Sequence, residues 1–123
     1  MISNILLGTN DINKAEIFYN ELLSLFQAKQ VIKKEDAILW KTSDDSVGLA
    51  ICKPHNQLEA TSGNGCMVGL KASTDEMVVK VYDRAISLGA TCEGPPGERK
   101  EGVFAAYFRD LDQNKFGIFC ITP

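Results

Sequence analysis

Residues 107–120 hold the densest group of polar side chains that could do chemistry, set between two apolar arms. The turn at residues 110–115 reads Asp-Leu-Asp-Gln-Asn-Lys, and aspartate and asparagine side chains readily hydrogen-bond their own backbone in turns. The pattern predicts a strand, a tight polar turn and a second strand. We interpret this turn as a fold signature that sets the hairpin register, and we assign it no catalytic role.

The thiols and the single imidazole show no metal-binding or redox spacing. Cys52, Cys66, Cys92 and Cys120 form no C-x-x-C pair and are not spaced like a zinc ribbon. Cys52 and Cys120 each end an apolar run, where a free thiol behaves as a small buried hydrophobic side chain. His55 lies in a segment rich in turn formers, which favours a solvated loop residue.

The composition is typical of one domain. A chain of 123 residues can bury a core without disulfide bonds or a structural metal. The formal charge of −3 argues against nucleic acid as a partner, and no apolar run is long enough to span a membrane. The N-terminal residues lack the basic region of a signal peptide. We therefore expect a cytoplasmic protein without a disulfide framework.

Hydrophobic periodicity predicts two successive units joined by a linker. The first unit is predicted to contain a strand, a helix and three strands, at residues 4–9, 12–26, 28–34, 36–42 and 47–52. After a linker at 54–63, the second is predicted to contain strand 66–72, a helix between a cap at Ser73, Thr74 or Asp75 and Gly89, a short strand from Thr91, and strands 102–109 and 116–121. The sequence Gly-Pro-Pro-Gly at 94–97 is expected to break any regular element.

The two units read as an internal repeat. A shift of about 63 positions aligns Tyr19 with Tyr82 and keeps the helical stripes in phase, and a shift of about 68 positions aligns Cys52 with Cys120. We therefore predict an α+β fold in which two βαβββ modules, at about 1–53 and 64–123, form the single domain 1–123.

Such modules are expected to curl into an incomplete, barrel-like concave sheet with the helices outside. In the first strand of each module, alternation turns Ile5 and Val68 toward the helix. The same alternation turns Asn4 and Met67 toward the concave side, which is the candidate pocket.

Four segments carry a resemblance to a known family. They are Gly8-Thr9-Asn10-Asp11 ahead of Phe18-Tyr19, then Gly63-Asn64-Gly65, then Glu93-Gly94-Pro95-Pro96-Gly97 with Arg99, and Tyr107-Phe108-Arg109-Asp110-Leu111-Asp112-Gln113-Asn114-Lys115. Their order and spacing resemble the vicinal oxygen chelate superfamily of glyoxalase I, bleomycin-resistance proteins and extradiol dioxygenases. The last segment resembles the family's Arg-Asp-Pro-Asp-Gly-Asn-Lys turn, with Leu111 for the proline and Gln113 for the glycine.

The resemblance also implies where a metal would be held. By position, the family's ligands fall on Asn4, Met67 and Gly117 and near Leu49, whereas family metalloenzymes carry histidine, glutamate or glutamine there. A divalent cation needs such nitrogen and oxygen donors. We therefore expect no metal and no cofactor. Glyoxalase-type isomerisation and extradiol cleavage would then lack their main source of transition-state stabilisation.

Binding without metal is the activity that the resemblance to bleomycin-resistance proteins leaves open. The ligand-binding residues that we expect are Asn4, Trp40, Met67, Arg99, Phe104 and Tyr107. The aromatic residues could stack on a flat ligand or offer a hydroxyl, and Arg99, with Lys100, could hold an anionic group. Core packing is the alternative for the aromatic residues, and solvated surface charge is the alternative for the cations.

The leading hypothesis is therefore a metal-independent protein that binds an unidentified small molecule. One alternative is a lyase or isomerase of glyoxalase type whose catalytic groups have moved. Another is an interaction module that acts by dimerising. A homodimer is also what the family resemblance implies.

Overall fold

The computed structural model describes all residues from Met1 to Pro123 and divides into two compact units, Met1–Thr61 and Ser62–Pro123. Each unit contains one α-helix and one open, four-stranded mixed sheet. The α+β class and the two βαβββ units predicted from the sequence are confirmed. Neither helix is long and apolar enough to cross a membrane.

Unit 1 packs one helix on one face of its sheet. Its elements are β1 (Asn4–Gly8), α1 (Ile12–Leu23), β2 (Lys29–Lys33), β3 (Ala37–Lys41) and β4 (Gly48–Cys52). The strand order is β1-β4-β3-β2, with β1 parallel to β4. Asp11 caps the N-terminus of the helix, where its side chain accepts a hydrogen bond from the Lys14 backbone N–H. Its buried stripe comprises Ala15, Phe18, Tyr19, Leu22 and Leu23.

Unit 2 repeats this arrangement. Its elements are β5 (Val68–Lys71), α2 (Asp75–Ser87), β6 (Thr91–Lys100), β7 (Val103–Arg109) and β8 (Lys115–Ile121), in the sheet order β5-β8-β7-β6. Thr74 caps α2 by accepting a hydrogen bond from the Met77 N–H, and Gly89 follows the helix with a left-handed φ of 105°. Stacked rings of Phe108 and Phe116, with centroids 5.4 Å apart, lie in the core.

The turn between β7 and β8 is held by one buried carboxylate. Asp110 accepts hydrogen bonds from the backbone N–H groups of Asp112 and Asn114 and from the Asn114 side chain. Gln113 takes φ of 68°, the left-handed conformation that glycine adopts most readily. The hydrogen bonds to Asp110 therefore hold the turn in this conformation although glutamine stands at position 113. The role of the turn is to connect β7 and β8 in a fixed register.

Strand β6 departs from the prediction that residues 94–97 break regular structure. The strand runs from Thr91 through both prolines to Lys100, with three shifts in its pairing with β7. Because β6 is an edge strand, a proline there removes no hydrogen bond that the sheet needs. The bulges take up the irregularity, and the strand continues.

The two units repeat the same fold, but the structure aligns their last strands differently from the sequence alignment, which matched Cys52 with Cys120. Trp40 pairs with Leu49 across the first hairpin, and Phe108 pairs with Phe116 across the second. The β7–β8 connection is thus one residue shorter than the β3–β4 connection. Cys52 consequently corresponds to Phe119, and the two cysteines lie on opposite faces of their sheets.

Candidate functional site

The side of the unit 2 sheet away from α2, called here the open face, gathers the groups best suited to hold a ligand. Alternation along β7 and β8 places Tyr107, Gly117 and Phe119 on this side, joined by Gly69 and Lys71 of β5. The opposite side of the sheet faces α2. Phe108 and Phe116 lie on it in the core, together with Cys120, whose thiol hydrogen-bonds Asp75 of α2.

A row of glycines crosses the open face. Gly69 pairs with Gly117, which pairs with Tyr107, which in turn pairs with Gly94. The space above these glycines is filled by aromatic rings. A Cβ on Gly117 would lie 2.6 Å from Cε2 of Phe119, and a Cβ on Gly69 would lie 3.3 Å from the same atom. The glycines therefore form a floor on which the Phe119 ring rests.

Phe119 and Tyr107 form an edge-to-face pair, with ring centroids 5.7 Å apart and an interplanar angle of 82°. This geometry sets the positive edge of one ring against the negative face of the other. The pair combines an apolar surface with one phenolic hydroxyl. It can contact a flat molecule and offer it a hydrogen bond.

Two cations border the Tyr107 ring. The Arg99 guanidinium carbon lies 5.4 Å from its centroid, and Lys115 Nζ lies 5.7 Å from it. Arg99 also donates through Nη2 to the Pro95 carbonyl at 2.6 Å, which orients the guanidinium. No carboxylate lies within ion-pair distance of either group. In a chain of net charge −3, the open face is thus locally positive.

A shallow groove of about 280 Å³ lies next to this aromatic pair. Its lining is mainly apolar and includes one cation. The lining residues are Gly69, Leu70, Lys71, Phe119 and Ile121. The groove is slightly smaller than typical small-molecule sites, which begin at about 300 Å³.

The structure brings together some of the residues suggested by the sequence and separates others. Tyr107 and Arg99 contact each other on the open face. Met67, which is 45% exposed, immediately precedes β5 of the same unit. Asn4 is exposed at the start of β1 in unit 1.

Trp40 and Phe104, suggested as stacking residues, lie elsewhere. Trp40 is buried under α1, where its Nε1 donates to Asn20 Oδ1 at 2.9 Å and its ring contacts Tyr19. Phe104 pairs with Cys120 on the α2 side of its sheet, opposite to Tyr107. For Trp40, the structure thus shows core packing, which the sequence analysis gave as the alternative to ligand binding.

Sequence reasoning missed Phe119 and Lys115. The signal was present, because alternation from Tyr107 across the hairpin puts Gly117 and Phe119 on one face. What the sequence did not show is that the Phe119 ring folds back over the neighbouring glycines. That placement depends on the absence of two side chains on adjacent strands.

The positions at which the resemblance would place metal ligands carry no suitable donors. They hold the Asn4 amide, the Met67 thioether and Gly117, and the observed register puts the fourth position on Ala50 in place of its neighbour Leu49. The structure contains no group of three or more histidine, cysteine, aspartate or glutamate side chains arranged to hold a metal ion. These residues do not fit the family's metal.

Two of the four thiols, Cys52 and Cys120, have raised pKa values. Burial raises the pKa of Cys120, helped by its hydrogen bond to Asp75, and burial likewise raises the pKa of Cys52. A hydrogen bond with Cys92 raises the pKa of Tyr82 to about 12. A thiol of raised pKa is neutral near pH 7 and is a poor nucleophile.

Comparison with known proteins places these features in context. The family model described as Glyoxalase/Bleomycin resistance protein/Dioxygenase superfamily matches residues 1–118. No curated protein matches the sequence. A glyoxalase/bleomycin resistance protein from Albidiferax ferrireducens is 29% identical, with 97% of each chain covered and a TM-score of 0.88.

Two more distant structures share the fold. The fosfomycin resistance protein FosX from Mesorhizobium loti is 18% identical, with 99% of this chain and 92% of that chain covered and a TM-score of 0.72. A lactoylglutathione lyase from Agrobacterium tumefaciens is also 18% identical, with 97% and 92% covered and a TM-score of 0.70. At this identity the likeness concerns the fold alone.

Proposed function

Because the chain belongs to the glyoxalase/bleomycin resistance protein/dioxygenase superfamily, we propose that it binds a small molecule without a metal ion, on the open face of unit 2. Tyr107 and Arg99 contact the ligand, and Phe119 provides the apolar surface beneath it. Met67 lies at the border of this surface. Asn4, at the exposed start of β1 in unit 1, is proposed as a separate polar contact for a ligand.

The observation that carries the proposal is the Phe119 ring above Gly117. By resemblance, Gly117 stands where a metalloenzyme of the family carries a ligand side chain. Here the backbone carries no side chain, and a Cβ would lie 2.6 Å from Phe119 and 3.1 Å from Tyr107. The volume that a ligating carboxylate would need is occupied by two rings. An apolar contact surface takes its place.

The residues at the other family positions support the same conclusion. An amide oxygen is a weak ligand, and a thioether suits soft ions rather than Zn²⁺, Ni²⁺ or Mn²⁺. No step of glyoxalase-type or dioxygenase chemistry is therefore assigned to these residues. The proposed activity is binding of a ligand through stacking, hydrogen bonding and charge.

Thermal unfolding with added metal tests the metal-free part of the proposal. We expect Ni²⁺, Zn²⁺ and Mn²⁺ to leave the melting temperature unchanged, because an ion that binds only the folded state would raise it. A rise that EDTA abolishes would overturn the proposal. Metal analysis of the purified protein provides an independent readout.

A fragment screen followed by ¹H–¹⁵N NMR tests the location. The amides of Gly69, Gly94 and Gly117 are reporters on the open face, and we expect bound fragments to shift them. The Tyr107→Leu variant should abolish these shifts. Tyr82→Leu is the matched control, because Tyr82 lies on α2 and its loss leaves the open face intact. Shifts confined to α2 or to unit 1 would contradict the proposal.

We also propose that the protein forms a homodimer in the cytoplasm. Exposed apolar side chains outside the groove support pairing, including Ile17 at 65% and Leu58 at 68% exposure. Sedimentation velocity should show a dimer at micromolar concentration. A monomer at all concentrations would contradict this part of the proposal.

A further inference from the structure

We infer that the ligand of the open face is a small organic anion with a flat apolar body, such as an aromatic ring bearing a carboxylate. This inference rests on the proposed function and names the chemical class that its site would select. It follows from the charges, the aromatic surface and the size of the groove.

The charges on the open face favour an anion. Arg99, Lys115 and Lys71 have no carboxylate partner within ion-pair distance. The nearby Arg109 is neutralised by Glu93, whose Oε1 lies 2.6 Å from the arginine Nε. A cationic ligand would meet like charges without compensation, which disfavours it strongly.

Arg99 is arranged to bind a carboxylate. Its hydrogen bond to the Pro95 carbonyl uses Nη2 and fixes the plane of the guanidinium beside the Tyr107 ring. A guanidinium has five N–H donors, so the remaining ones are available to an oxygen ligand. Pairs between arginine and carboxylate are stronger and more directional than neutral hydrogen bonds. Lys115 adds a second positive charge beside the same ring.

The apolar part of the site favours a flat body. Phe119 and Ile121 line the groove, and the Phe119 ring, which rests on the glycine row, offers an aromatic surface to it. Aromatic rings gain from stacked or edge-to-face contact with each other. A groove of about 280 Å³ limits the body to one or two fused rings.

Isothermal titration with three probes tests the inference. They are 2-naphthoate, its neutral isostere 2-naphthamide, and acetate, which carries the charge alone. We expect 2-naphthoate to bind about tenfold or more tightly than either of the others, since it alone uses both parts of the site. Equal affinity for 2-naphthoate and 2-naphthamide, or binding of neither, would overturn the inference.

Charge variants sharpen the test. Arg99→Gln and Lys115→Gln should each weaken binding of 2-naphthoate by about five- to twentyfold, and should change binding of 2-naphthamide by less than about twofold. Lys80→Gln is the matched control, because this exposed lysine lies on α2. Equal weakening by Lys80→Gln would show that net charge alone is responsible and would overturn the inference.

The two proposals fail in different ways. If only the ligand class is wrong, the neutral probe still shifts the amides of Gly69 and Gly117, and Tyr107→Leu still abolishes the shifts. If the site itself is wrong, 2-naphthoate shifts amides outside the open face and Tyr107→Leu has no effect. Amide shifts recorded during the same titrations distinguish the two cases.

Discussion

The Phe119 ring lies where a side chain on Gly117 would begin, with its Cε2 atom 2.6 Å from the position of a Cβ. Gly117 and Phe119 are two positions apart in the sequence, and a side chain on Gly117 would need the volume that the Phe119 ring occupies on the open face. A glycine at 117 is required for the ring to lie flat, and the ring in turn excludes any larger residue there. The packing of Phe119 over Gly117 therefore contributes both to the stability of the sheet and to the apolar surface of the candidate site.

Gly117→Ala is expected to destabilise the protein by about 1–3 kcal/mol, because the new methyl group overpacks against two rings. Gly69→Ala should cost less, since its nearest ring atom is 3.3 Å away. In a Phe119→Ala background the cost of Gly117→Ala should largely disappear. Denaturant unfolding measures all four variants. An unchanged cost in that background would contradict the packing described here.

Gln113→Gly is expected to stabilise the protein by about 0.5–1 kcal/mol. Gln113 has φ of 68°, a conformation that glycine adopts without the steric cost of a side chain. Gln113→Ala keeps that cost and should change the free energy of unfolding by less than about 0.5 kcal/mol. A loss of stability in the glycine variant would show that the left-handed conformation carries no strain.

Asn20→Ala is expected to destabilise the protein by about 1 kcal/mol, because it removes the acceptor for the buried Trp40 Nε1. The cost should fall in a Trp40→Phe background, where no indole N–H remains. Asn13→Ala, at an exposed position of the same helix, serves as control. Additive effects in the double variant would argue against this hydrogen bond as the cause.

Acid should weaken unit 1 through Glu16. The hydrogen bond from Lys33, followed by that from Gln30, lowers the pKa of this carboxyl below its ordinary value of 4.5. A lowered pKa in the folded state contributes stability above 4.5, and this contribution is lost as the pH falls through the folded value.

The Glu16→Gln variant should therefore lose less stability than the parent between about pH 6 and about pH 3, as followed by urea unfolding. Glu35→Gln is the control, at an exposed turn position without such bonds. Parallel curves for the parent and Glu16→Gln would refute the role of Glu16.

The sequence predicts the elements of this fold because their signals are local. Asp11 and Thr74 cap helices, and alternation identifies the strands beside them. It did not predict the fate of Trp40, because that residue is held by Asn20 on a helix distant in the sequence. It predicted the start of β6 at Thr91 but not its continuation through the two prolines, because tolerance of proline depends on a strand lying at a sheet edge.

The candidate site was only partly predictable for a related reason. Tyr107 and Arg99 were recognised from their chemical type, whereas Phe119 becomes a surface for a ligand only because Gly69 and Gly117 leave space beneath it. Hydrophobic periodicity does not indicate where the absence of a side chain leaves space for a neighbouring ring. The register of β8 also depends on the β7–β8 connection, which is one residue shorter than the β3–β4 connection. An alignment of the two repeats at a constant shift does not detect this difference.

The prolines of β6 have a consequence for how copies of this chain meet at high concentration. Pro95 and Pro96 offer no backbone N–H at the rim of the sheet, and the shifts in pairing twist this strand away from a regular ladder. At the rim of the other sheet, β2 carries a bulge and lysines at both ends. These two edges, of the four that the two open sheets have, are therefore poor templates for a foreign strand, which disfavours growth into β-aggregates through them.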